Sequence, residues 1–143
     1  MPANPWRDGY SDTLADVAMY YWARDLRPDL PNRVYTSGLN NAFWQHVTVY
    51  GVALGVFGTI PSATIQSAAG SPYPTINWPN PATSNPAKID DLAHAAVNSR
   101  GAFFSASDPN ALANGLSSAL DNINARVCGG VSRRYQCHCH ARQ

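Results

Sequence analysis

The sequence predicts an α/β fold, a partial doubly wound sheet with flanking helices that amounts to an incomplete domain. Three observations carry this reading. Residues 89–109, IDDLAHAAVNSRGAFFSASDP, hold a helix, a strand and the start of a second helix. Residues 47–56 are apolar on both alternations, broken only by Thr48, Tyr50 and two glycines, as in a strand buried on both faces of a parallel sheet. Three amphipathic patterns at helical spacing alternate with these two strands.

Taken in order, Ser11 or Asp12 caps a first helix in which Leu14, Val17, Ala18 and Tyr21 share a face. Pro28 and Pro31 forbid its extension, so it ends near Leu26. Residues 32–41 are polar loop, after which Trp44, Gln45 and His46 lead into the long strand, where an aromatic side chain seals a core. Residues 58–87 include SPYPTINWPNPATSNP, which holds neither a ladder nor a helix. They form a long loop with a short helix near residues 65–68.

In the next helix Ile89, Leu92, Ala93, Ala96 and Val97 line one face, and Asp90 and Asp91 stand in the first turn, opposite the positive end of the dipole. Gly101 stops it. Residues 102–106 form a buried strand, and Ser107, Asp108 and Pro109 cap and open a last helix. Its apolar face is Leu112, Leu116, Ala119, Leu120 and Ile123. Two strands alone leave an apolar sheet edge and uncovered helix faces.

Three blocks of this sequence carry a resemblance. Residues 89–109, LADVAMYYWARDLRPDLP at 14–31 and FWQHVTVYGVALGVFG at 43–58 closely resemble, and in the same order, blocks of the PilY/PilC family of type IV pilus biogenesis proteins and tip adhesins. The match spans residues 8–127. It implies that these residues are the carboxyl-terminal part of a von Willebrand factor A-like, Rossmann-like domain from the amino-terminal half of those large proteins. It further implies a parent in the periplasm, at the outer-membrane surface or at the pilus tip. That parent would act without turnover in pilus assembly, surface adhesion and twitching motility, with pilins, other pilus components and surface ligands as partners. Two positions depart from the family: Ala93 stands where members usually carry Trp, and Ser99 where they usually carry Gly. The family's calcium-dependent β-propeller lies outside this region, so calcium regulation does not carry over.

A chain of 143 residues is about one domain in length. Its formal charge of +1 argues against a broad field for nucleic acid or an anionic membrane. It has no Glu, one Lys at position 88 and 13% charged residues, against roughly 25% in an average domain, so Asn, Ser, Thr and Pro carry the polar surface. No stretch approaches the roughly 20 apolar residues of a membrane span, and MPANPWRDGYSD lacks the regions of a signal peptide. Set beside the surface location that the resemblance implies, this reads as an internal piece of a longer exported protein.

In the implied fold the ligand site is a metal ion held by an Asp-x-Ser-x-Ser loop, a Thr and a later Asp, oxygen ligands suited to Mg²⁺ or Ca²⁺. No such loop occurs in the chain, so neither a metal site nor a cofactor is assigned. Asp8-Gly9 reads as a turn. Asp90 and His94 have a zinc-compatible spacing on one helix face, yet dipole pairing and a core or interface histidine account for them. Ser105, His94 and Asp91 would make a hydrolase triad, but no Gly-x-Ser-x-Gly elbow accompanies them. Catalytic residues are therefore expected to be absent. Tyr73 and Trp78, on the proline-rich loop, are the candidates for partner contact.

All three cysteines lie in CGGVSRRYQCHCHARQ, residues 128–143. Cys137, His138, Cys139 and His140 lack the spacing of a zinc site. The resemblance stops before this Cys/His/Arg-rich tail, which reads as frameshifted or disordered and is given no function. Two other classes remain as alternatives: a free-standing extracellular binding module that uses residues 73–78, and a small zinc hydrolase using Asp90, His94 and the tail.

Overall fold

The computed structural model describes residues 3–130. Its elements run α1 (Leu14–Trp22), β1 (Tyr50–Leu54), α2 (Ser62–Ser67), α3 (Asn85–Asn98), β2 (Ala102–Ala106) and α4 (Pro109–Gly130). The two strands form a parallel pair, with Tyr50 opposite Ala102 and Leu54 opposite Ala106. A parallel pair requires a crossover, supplied here by residues 55–101 with α3 as its principal helix.

Alternation along the strands assigns the faces. Phe103 packs with Ala53, Ala93 and Ala96 in the core cluster, so α3 covers that face. Phe104 points the other way and meets α4 at Gly115, where an added Cβ would stand 3.1 Å from the Phe104 Cβ. Tyr50, on the same face, donates from its hydroxyl to Asn122 of α4 at 2.7 Å. The order and the two-sided covering agree with an α/β reading, while the strand content is one parallel pair.

Helix α1 opens later and closes earlier than expected. Thr13, not Ser11 or Asp12, is the N-cap: its hydroxyl accepts from Asp16 N–H, and the Asp16 carboxylate accepts from Thr13 N–H. This reciprocal capping box supplies two acceptors to the first turn. The buried side chains are Ala15 and Ala18. Leu14, Val17 and Tyr21 face outward, each between two-fifths and about half exposed. Of the expected apolar face only Ala18 is buried, because small residues let α1 lie close against α3 while the large ones have no cover among the described residues.

The same inversion recurs in α4. Gly115 and Ala119 are buried, whereas Leu116, Leu120 and Ile123 are exposed, Leu120 by 60%. The expected strand at 47–56 shortens to five residues, with Gly51 and Ala53 buried but Val47, Leu54 and Val56 exposed. The short helix spans Ser62–Ser67, a turn earlier than expected, and buries Ile65.

Helix α3 begins within the segment read as loop. Ser84 caps it by accepting from Ala87 N–H, and Pro86 stands in the first turn, where a missing N–H costs nothing. Asp90 and Asp91 are therefore beyond the first turn, and their carboxylates do different work. Asp91 accepts from the N–H groups of Leu14 and Ala15 at 3.0 and 3.1 Å, pinning the start of α1. Asp90 accepts from Thr59 N–H, Thr59 hydroxyl and Ile60 N–H at 2.8, 2.6 and 3.1 Å, pinning the loop after β1. Asn98 donates to the Ala15 carbonyl at 3.0 Å. The Ser99 hydroxyl accepts from Val49 N–H at 2.8 Å and donates to the Ala95 carbonyl. Ala93 is fully buried in the core cluster.

The helix does not stop at a left-handed glycine. Arg100 takes that conformation, with φ +60°, while Gly101 is required for another reason: any Cβ there would overlap the Val49 carbonyl. Of the expected tail, residues 128–130 continue the α4 backbone, and residues 131–143, including Cys137 to His140, lie outside the described residues.

Two substitutions test this account. Ser99→Ala leaves the half-buried Val49 N–H without its acceptor and should cost about 1–3 kcal/mol in a denaturant melt. Gly101→Ala forces a Cβ onto backbone that has no rotamer to yield, and should cost at least about 3 kcal/mol. A wild-type midpoint for either variant contradicts the assigned contact.

Candidate functional site

Where residues 5–8, 73–78 and the second half of α3 meet, aromatic rings and titratable groups stack in layers. Trp78 lies at the bottom. Its ring is parallel to His94, with centroids 4.1 Å apart and planes within 9°, and its indole N–H donates to the Pro5 carbonyl at 2.7 Å. Only 6% exposed, it is a core residue, which corrects its reading as an accessible contact. Irregular backbone around it gave no sign that the side chain turns inward.

His94 is buried, and its two ring nitrogens have different neighbours. Nε2 lies 3.2 Å from the Trp6 carbonyl, which can only accept, so Nε2 carries the proton. Nδ1 faces the Asp8 carboxylate at 3.4 Å, an ion pair when the ring takes a second proton. Burial pushes His94 below the ordinary imidazole value. The Trp6 carbonyl and the carboxylates of Asp8, Asp91 and Asp16 oppose that shift. Asp8 also accepts from Tyr10 N–H at 3.0 Å, so the Asp8-Gly9 turn is present and is tied to α3 besides.

Above this layer lies Arg100. The backbone N–H groups of Arg100 and Gly101 donate to the Val97 and Ala96 carbonyls, the bonding of a Schellman cap with arginine in the place glycine normally takes. Arg126 of α4 donates to the Arg100 carbonyl and holds it from the other side. This cap aims the side chain at two indoles: the guanidinium carbon is 3.8 Å from the Trp22 centroid and 4.3 Å from that of Trp6. Nη1 donates to the Asn98 carbonyl at 2.7 Å. Trp6 in turn meets Tyr73 edge to face at 4.8 Å. Burial draws the Arg100 value down to about 10, with Tyr73 opposing the fall.

Arg100, Trp6 and Tyr73 share the wall of a cavity of about 300 Å³ whose remaining lining is mostly apolar, with Ile65, Val97 and Phe103 beside the one amide, Gln66. Tyr73 keeps 39% of its surface exposed, as a contact residue requires. A smaller recess of about 220 Å³ lies under residues 57–62 and contains Asp90 and Ser105, whose hydroxyl has no hydrogen-bond partner among the described residues.

The residues weighed for chemistry do not converge. Both Asp91 oxygens are taken by α1 N–H groups, the His94 nitrogens face Trp6 and Asp8, and Ser105 bonds neither. Asp90 serves the loop at 59–60, not the His94 ring, which removes the zinc pairing of Asp90 with His94. Among the described residues no three His, Cys, Asp or Glu side chains come together as a metal site would require. Trp6, Trp22 and Arg100 were missed in the sequence. An arginine before glycine at a helix end was the one available signal, and it reads equally as a basic C-terminus opposing the dipole.

Sequence comparison finds close relatives. The chain is 35% identical over 147 residues to the type IV pilus biogenesis factor PilY1 of Pseudomonas aeruginosa strain PAK, a match covering 85% of the chain and 12% of that protein. It is 32% identical over 149 residues to PilY1 of strain UCBPP-PA14, covering 87% and 13% respectively. The chain thus spans about an eighth of the length of the curated relatives it matches. No family model matches, and no solved structure matches.

The histidine layer predicts a pH dependence. A group whose folded value is depressed is protonated first in the unfolded chain, so stability falls as pH drops below about 6.5. Thermal melts from pH 7.5 to 5 should show this loss, Asp8→Asn should deepen it, and His94→Phe should flatten it. A melting point that rises toward pH 5 would show instead that the charged His94 and Asp8 pair dominates.

Proposed function

The chain belongs to the PilY1 family of type IV pilus biogenesis factors, and on that premise we propose that it serves as the carboxyl-terminal part of a von Willebrand factor A-like domain within a larger pilus protein. The observation that carries this reading is the parallel β1 and β2 pair, covered by helices on both faces, combined with apolar faces that nothing described covers. Leu14, Val17 and Tyr21 on α1, Leu116, Leu120 and Ile123 on α4, and Val56 with Phe57 after β1 form such surfaces. Large exposed apolar side chains grouped on one helix face suit an interface. In a parent some eight times longer, further strands and helices of the same domain are the natural cover.

The parent's role in this reading is assembly and adhesion without turnover, at the cell surface or the pilus tip, with pilins or other pilus components as partners and twitching motility as a downstream effect. No helix among the described residues is long and apolar enough to cross a membrane. Tyr73, exposed at the mouth of the cavity, is the residue assigned to partner contact.

Two experiments test the proposal. Expressed alone, the chain should oligomerise and melt broadly, whereas the same residues with the preceding parental strands should give a monomer with one sharp transition. A sharp cooperative melt of the chain as a monomer defeats the partial-domain reading and favours an independent binding module. In cells, Gly101→Val in the full-length parent should unfold this region and abolish surface pili; normal piliation overturns the assembly role.

A further inference from the structure

We propose that the cavity walled by Arg100, Trp6 and Tyr73 is a binding site for a small apolar group that bears a carboxylate. The inference does not rest on the partial-domain reading above, because each wall residue is held by contacts within the described residues.

The guanidinium has donors to spare for a ligand. Arg100 makes no ion pair among the described residues, and its hydrogen bonds go to two carbonyls of its own helix end, through Nη1. The Nε–H and both Nη2 protons have no acceptor among the described residues, although a guanidinium presents five donors in a planar fork matched to a carboxylate. Trp6 and Trp22 cover the guanidinium with ring surface, which fixes its plane without satisfying its edge. Burial already disfavours its charge, so an arriving anion gains from a desolvated partner.

The backbone adds an independent observation. A non-glycine residue at φ +60° stores strain, and such strain collects at ligand sites where surrounding contacts enforce it. Here Val97, Ala96 and Arg126 enforce it. Glycine would accept that conformation freely, so what favours arginine here is its side chain. The rest of the cavity sets what accompanies the carboxylate. Apart from Gln66 its lining is apolar, with Ile65, Ala68, Val97 and Phe103, and about 300 Å³ is at the small end of ligand pockets, enough for one aromatic or branched aliphatic group.

The cavity opens beside Gly101 and Ala102, at the amino end of β2. Doubly wound folds place their usual ligands at the carboxyl ends of strands. The site is therefore separate from any ligand position that the fold class implies. Its occupant is either a free small acid or the last residue of a polypeptide, and the shared chemistry is the apolar carboxylate.

Equilibrium dialysis of these residues joined to the preceding parental strands tests this with 3-phenylpropanoate, its amide, and a short peptide ending in Phe with a free or an amidated carboxyl group. One acid should be retained per chain, about tenfold or more tighter than the matching amide. Arg100→Gly, which suits the left-handed backbone, should abolish that preference with the circular dichroism spectrum unchanged. Should that variant not fold, Ala69→Trp, which fills the exposed mouth of the cavity, should exclude both acids. Tighter retention of the acid peptide identifies a polypeptide terminus as the occupant, and tighter retention of 3-phenylpropanoate a small molecule. Equal retention of acid and amide, unchanged binding by folded Arg100→Gly or Ala69→Trp, or no saturable retention of either acid overturns the proposal.

Discussion

One helix holds the structure together by accepting and donating hydrogen bonds along its buried polar side. Asp90, Asp91, His94, Asn98 and Ser99 of α3 and its cap each engage a main-chain group of another segment: the loop after β1, the start of α1, residue 6, the α1 carbonyl of Ala15, and the entry to β1. Much of this chain is irregular, and backbone polar groups brought out of water need partners. With few ladder bonds available from a two-stranded sheet, side chains of α3 meet that need. Carboxylates are suited to it, since each can accept several N–H groups at once.

This arrangement explains why α3 is buried almost all round and yet polar on one side. Ala93 and Ala96 face the sheet, while Asp90, His94 and Asn98 are no less hidden. The core itself is built largely from alanine, with Phe103, Ile65, Ile76 and Trp78 as its large members. Small residues permit close approach of elements but bury little apolar area each, so hydrogen-bonded polar contacts carry an unusual share of the specificity.

Much of the fold was legible in the sequence, and its failures share a cause. Element order, the helix, strand, helix punctuation at 89–109 and the Asp108 cap, which accepts from Asn110 and Ala111 N–H, follow from local chemistry that tertiary context leaves alone. The helix faces did not follow. Periodicity assumes that large apolar residues point inward, whereas α1 and α4 turn Ala15, Ala18, Gly115 and Ala119 inward and Leu14 and Leu120 outward. Those large side chains have no cover among the described residues. At the candidate site Tyr73 was legible as an exposed aromatic. Arg100 was not, because its position depends on a left-handed cap and on two indoles distant in sequence.

The bonds that seat residues 5–15 have a temporal corollary. Pro5 waits for Trp78, Trp6 and Asp8 for His94, and Leu14 for Asp91, partners some 70 to 90 positions later in the chain. During synthesis residues 5–15 therefore lack these partners until α3 has left the ribosome, and loops of that length close slowly. In the interval Trp6 and Tyr10 stand open to chaperones, and this stretch stays unseated until the helix that locks it has formed.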